Sequence, residues 1–132
     1  MSLRERCDAL LEFAPHFDSD SFATLVSPAM GEGLLGPYCQ LSPWATAFVR
    51  TIEDAGWCTS CDWQAWRDEG HRYVGDPALV ANADVEILAK LLTLHVQLDR
   101  LNEGHLIDMA EQGHLQAILG RLRELRDQHA GG

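Results

Sequence analysis

Between Asp84 and Leu125 the chain repeats apolar residues at helical spacing, and the first part of that stretch constrains the fold most. One row runs Ile87, Leu91, Leu94, Leu98 and Leu101; a second runs Val85, Leu88, Leu92 and Val96, opposite Lys90, Thr93, Gln97 and Arg100. Two adjacent rows make a wide stripe, the mark of a core-facing helix rather than a coiled-coil seam. The segment at about 84–101 is therefore predicted to be the central helix of an all-α, single-domain bundle of six or seven helices.

The segments before it look built to pack on such a helix. Leu3, Cys7, Leu10, Leu11 and Ala14 predict a first helix, opened by Ser2 and Glu5 at capping-box spacing and closed at Pro15. From His16 to Leu41 no helical period holds. Pro28, Gly31, Gly33, Gly36 and Pro37 punctuate that stretch, and Phe22, Thr24 and Val26 allow at most one short strand or hairpin within 20–41. Long irregular segments in compact domains are functional or poorly ordered, and Leu34, Leu35, Tyr38 and Leu41 predict that the second half packs down.

Ser42-Pro43 starts a helix lined by Trp44, Phe48, Ile52 and Ala55 and ended by Gly56. Asp62 caps the next, whose stripe is Trp63, Trp66, Gly70 and Tyr73, and Asp76-Pro77 opens a short helical turn to Ala81. Asn82 or Asp84 caps the central helix, and Asn102 reads as the cap of a short helix carrying Leu106, Met109 and Ala110. Gly113 separates it from a last helix with Leu115, Ile118, Leu122 and Leu125 in one row, and residues 129–132 are expected to be a disordered tail.

Charge narrows the partners. Twenty acidic against ten basic side chains give a net −10, which repels nucleic-acid phosphates and anionic lipid. Nucleic acid is disfavoured as a partner, and no apolar run approaches the roughly 20 residues of a membrane span. The opening Met-Ser-Leu-Arg-Glu-Arg lacks the apolar stretch of a secretory signal, so a cytoplasmic location is expected. Cys7, Cys39, Cys58 and Cys61 are too few and too irregular for a disulfide scaffold and are expected as thiols.

Several short motifs recur in a recognisable order: Tyr73-Val74-Gly75-Asp76-Pro77, Ala83-Asp84, Leu91-Leu92-Thr93, Asp99-Arg100, Glu103-Gly104-His105-Leu106 and Gly113-His114. Together they resemble a family of small, uncharacterised bacterial proteins grouped as a domain of unknown function, over about residues 38–125. The shared pattern is a Trp-rich helix, an Asp-Pro turn, an Ala-Asp helix start, a leucine-threonine segment ending in arginine, then Glu-Gly-x-Leu. Leu101-Asn102 departs from it, since an aromatic followed by serine or cysteine is more usual there. The resemblance implies a soluble, mainly helical bacterial protein and supplies no activity, cofactor or partner.

Four constellations carry candidate chemistry. Trp57-Cys58-Thr59-Ser60-Cys61 has thioredoxin-like Cys-x-x-Cys spacing, but it follows a helix rather than the strand of a βαβ unit, and a second cysteine pair for zinc is lacking. His95 with Asp99, or His105 with Asp108, share a helix face without the spacing of a two-histidine metal motif, so no metal and no cofactor are expected; His95 reads as a partly buried histidine with one hydrogen bond. The helices around Gly113 have the outline of a helix-turn-helix, with Arg121, Arg123 and Arg126 on the second helix. Arg100, Asn102, Glu103 and Gly104 form a helix junction where a small molecule or peptide could meet Trp57, Trp63 and Trp66. The expected function is a non-enzymatic binding or interaction module at that junction, with no catalytic residue assigned. The alternatives are a thiol-redox or metal-dependent protein using Cys58 and Cys61, or a DNA-binding regulator using the C-terminal helices.

Overall fold

Short polar side chains set where the helices begin. The Glu5 amide donates to Ser2 Oγ at 3.2 Å and opens α1 (Leu3–Leu11). Asp62, Asp76 and Asp84 do the same for α4 (Trp63–His71), α5 (Pro77–Ala81) and α6 (Val85–Leu101), accepting from the amides of Ala65, Leu79 and Ile87. The remaining helices are α2 (Ala14–Ser19), α3 (Pro43–Asp54), α7 (His105–Glu111) and α8 (His114–Ala130), and an antiparallel hairpin pairs β1 (Ala23–Val26) with β2 (Tyr38–Leu41). This computed structural model describes residues 2–26, 38–58, 62–102 and 104–130, with side chains throughout except at 24–26, 38–39 and 129–130. Among them no helix is long and apolar enough to cross a membrane. The architecture is an all-α domain with one small hairpin.

The predicted central helix is α6. Leu88, Leu91, Leu92, Leu94, Val96 and Leu98 are buried along it, together with Thr93 and His95, so it is enclosed on nearly every side. It packs against α4, α7 and α8, while α8 in turn touches α1, α2, α5 and α7 as well. Two long helices therefore share the centre. Trp57, fully buried in the core, donates its indole N–H to the Arg6 carbonyl at 3.0 Å, and the Arg6 guanidinium lies 4.3 Å from the ring centroid.

Three local readings change, and one alternative is resolved. Pro15 opens α2 instead of ending the helical region, because proline's fixed φ suits the first turn of a helix and its missing N–H is not needed there. The Ser42 hydroxyl donates to the Ser21 carbonyl, as does the Trp44 indole N–H at 3.0 Å, so both tie α3 to the chain entering β1 rather than capping. Asp84, not Asn82, caps α6. Asn102 ends α6, its amide bonded to the Leu98 carbonyl; α7 begins instead at Gly104, whose φ of 97° an L-residue rarely adopts, and Asp99 accepts the Leu106 amide at 3.0 Å. Leu34 and Leu35 lie outside the described residues. Of the expected tail, 129 and 130 belong to α8, and Gly131 and Gly132 lie outside the described residues.

Gly70 in α4 lets that helix approach α6. A Cβ there would stand 2.5 Å from Leu94 Cδ2 and 2.7 Å from Trp66 Cζ3. Gly70→Ala is expected to destabilise by about 1–3 kcal/mol, because overpacking outweighs the ~1 kcal/mol that alanine normally adds to a helix interior. A thermal melt checks this, and an unchanged or raised midpoint would mean the α4–α6 contact has room to give.

Candidate functional site

Two Gly-His steps bring the site together. Gly104 and Gly113 both take positive φ (97° and 80°) and turn the chain between helices, so that His105 and His114 each become the first residue of the helix that follows. Both then face His95, which the stripe of α6 holds in the core. His95 Nδ1 lies 2.9 Å from His105 Nε2, and His95 Nε2 lies 2.9 Å from His114 Nε2. The three residues are buried, His95, His105 and His114 being 1%, 8% and 4% exposed. His95 is thus fully buried and makes two hydrogen bonds, not one, and its partners are histidines rather than Asp99.

Burial keeps these rings neutral. Desolvation pushes His95 well below the ordinary histidine value of 6.5, and the neighbouring His114, His105 and His71 push it the same way. Desolvation also lowers His114, to about 4, with His105 adding to the effect. For His105 desolvation again outweighs the attraction of Asp99 and Asp108 for a proton, while His71 and Arg67 act alongside desolvation. A neutral His95 carries one ring proton and has two partners, so it donates to one and accepts from the other.

The geometry does not converge on a single point. Because His95 spends its two nitrogens in different directions, the three rings form a line rather than a shell, and among the described residues no three His, Cys, Asp or Glu side chains are arranged to hold a metal ion. What the line does reach is a cleft at each end. At His105, between α4 and the α6–α7 junction, a cleft of about 430 Å³ is lined by Arg67, His71, Leu98, Leu101, Asn102 and His105. At His114 a smaller one of about 210 Å³ is lined by Tyr73, Gly75, Pro77, Val80, Gln112, Gly113, His114 and Ala117.

The sequence-derived junction is divided by this arrangement. Asn102 lines the larger cleft and Gly104 forms the turn beside it, whereas Arg100 points away to Glu53, with Nη2 2.6 Å from Oε1. Glu103 lies outside the described residues. Trp57 is buried under Arg6; Trp66 pairs with Tyr73 at 6.0 Å between ring centroids; Trp63 is half-buried on α4. None of the three lines the cleft; the Trp-rich helix contributes Arg67 and His71 instead. Those two were overlooked because they sit on the polar side of a stripe drawn through Trp63 and Trp66. The signal for the histidine line is the repeated Gly-His pair, one turn-glycine before each of two helices.

The other candidates take these places. Cys58 is half-buried after Trp57, and Cys61 lies outside the described residues. On α8, Leu115, Ile118, Leu119, Leu122 and Leu125 are buried in the core. Arg121 donates to the Ala83 carbonyl at 2.8 Å and pairs with Glu124, and Arg126 pairs with Asp8 at 2.9 Å, so two of its three arginines are engaged within the chain.

A family model now decides the relationship: DUF6508, a family of unknown function, matches residues 2–128. The chain belongs to this family. The match takes in His95, His105, His114 and every residue of both clefts, and extends well beyond the 38–125 that carry the resemblance. Comparison with curated proteins and with solved structures found no match. Membership in DUF6508 carries no activity with it, so function rests on the site.

Proposed function

We propose that the chain is a non-enzymatic binding module for a small anionic ligand, held in the cleft between α4 and the α6–α7 junction. The observation that carries this reading is the chemistry of the lining. In a protein with twenty acidic side chains, the six residues lining this cleft include no carboxylate: they are a guanidinium, two imidazoles, an amide and two leucines. Leu101, 72% exposed at the rim, supplies apolar contact for the rest of a ligand. The overall negative charge does not forbid this, since screening at physiological salt confines charge interactions to about 8 Å. In the lining Arg67 is the cation and Asn102, His71 and His105 are the further donors, while Asp99 and Asp108 act on His105 from outside the lining.

The test uses inorganic phosphate and acetate as probes against the isotope-labelled protein, followed by chemical shifts. Shifts are expected at Arg67, His71, Asn102 and His105. Arg67→Ala should weaken binding roughly tenfold or more, the loss of one charge-assisted hydrogen bond of about 1.5–3 kcal/mol. Shifts clustering on the C-terminal arginines, or affinity indifferent to Arg67→Ala, would remove the site from this cleft.

A further inference from the structure

We propose that His105, His95 and His114 form a two-state hydrogen-bond relay that joins the two clefts into one coupled site, so that an anion bound at His105 makes the cleft at His114 select a hydroxyl or amide N–H donor. The first half of this rests on the anion reading above; the relay itself rests on the contacts and burial of the three rings.

The two 2.9 Å contacts use Nε2 of His105, both nitrogens of His95 and Nε2 of His114. Each outer ring is left with Nδ1. Among the described residues neither Nδ1 has a hydrogen-bond partner, and the buried side-chain atom without one is Gln116 Oε1, so both Nδ1 atoms open on their clefts rather than being sealed in the core. Three neutral rings carry three ring protons, and two contacts each need one proton. Only two arrangements satisfy both. In the first, His105 Nε2–H donates to His95 Nδ1, His95 Nε2–H donates to His114 Nε2, and the third proton sits on His114 Nδ1. In the second, His114 Nε2–H donates to His95 Nε2, His95 Nδ1–H donates to His105 Nε2, and the third proton sits on His105 Nδ1.

The outer nitrogens are therefore always opposite: when one is a donor the other is an acceptor. Passing from the first state to the second takes one proton from the larger cleft onto His105 Nδ1. It moves the protons on His105 Nε2 and His95 Nε2 one ring onward and releases the proton of His114 Nδ1 into the smaller cleft. No charge accumulates, which suits a site this dry. An anion in the larger cleft needs a donor, so it favours the second state and leaves His114 Nδ1 as a bare acceptor beside Tyr73 and Gln112. The charged and titratable groups around the His105 end are Arg67 and His71 on α4, Asp99 on α6 and Asp108 on α7, and Asp99 is already committed to the Leu106 amide. Packing alone has no use for this polarity, because leucines would fill the same space.

Nitrogen-15 ring spectra of the intact protein read each tautomer directly. Without ligand, at a pH where all three rings are neutral, the fraction of His105 bearing a proton on Nδ1 and the corresponding fraction of His114 should sum to one. Both rings protonated on Nδ1, or both on Nε2, would overturn the relay whatever the cleft binds. Adding inorganic phosphate should raise the His105 fraction and lower the His114 fraction in step, and His95→Leu should abolish the His114 response. If that variant fails to fold, Arg67→Ala serves, since it should remove both responses at once. Phosphate shifts at Arg67, His71 and His105 with an unchanged His114 tautomer would sink the coupling and leave the anion site standing. No phosphate shift at any of them would sink the anion site, and the ligand-free sum would still decide the relay.

Discussion

Acidification from neutral pH should destabilise the protein steeply below the ordinary histidine value of 6.5. In the folded chain His95, His105 and His114 all have lowered pKa values, chiefly through desolvation, whereas in the unfolded chain each binds a proton near 6.5. The unfolded state then holds more protons in the window below 6.5, so stability is full above that value and falls with falling pH until the folded rings titrate in turn. For His114 the window runs from 6.5 to about 4. At ~1.4 kcal/mol per pH unit that ring alone accounts for on the order of 3 kcal/mol. His95 and His105 add to the loss in the same direction. Urea unfolding at a series of pH values measures the slope. His114→Gln keeps a partner for His95 but cannot titrate there, so it should flatten part of the dependence between neutral pH and about 5. Parallel parent and variant curves would show that His114 is charged, or solvated, in the folded state.

Leu91→Ala should cost about 2–5 kcal/mol, since deleting a buried leucine forfeits its transfer energy and leaves a cavity that rigid neighbours only partly fill. Leu91 has no exposed surface and lies in the principal core cluster, on a helix enclosed by α4, α7 and α8. Leu101→Ala, in the same apolar row but 72% exposed, should change stability by no more than about 0.5 kcal/mol. Comparing the two denaturation midpoints tests whether α6 is buried where the structure has it. Equal small effects would place Leu91 at the surface.

That helix was legible because two apolar rows at 3.6 spacing, with Asp84 before them, leave little choice of structure or of start. The same reasoning finds α3, α4 and α8 from tryptophans and leucines at helical spacing, and for α4 from the Asp62 cap as well. It misses α2, because Pro15 reads as a stop although proline is equally at home in a first turn. It also gave Asn102 a helix start that Gly104 and Asp99 provide instead. The candidate site was legible only in outline: the α6–α7 junction was located, but Arg100 turned to Glu53 and the tryptophans faced elsewhere. The relay was beyond a reading confined to single helices. His95, His105 and His114 lie on three different helices, and what joins them is the direction in which two left-handed glycines turn the chain. Pairing each histidine with the nearest carboxylate on its own helix looked along the wrong axis.

His95, His105 and His114 are buried, held neutral and bonded to one another. A pH titration of the histidine ring nitrogens and ring N–H protons tests this most directly. The three rings are expected to stay neutral below the ordinary histidine value of 6.5, because burial disfavours their charged forms, with ring N–H signals protected from exchange with water. Three rings that instead take up protons together near pH 6.5, their N–H signals lost to solvent, would contradict the relay and the coupling of the clefts built on it.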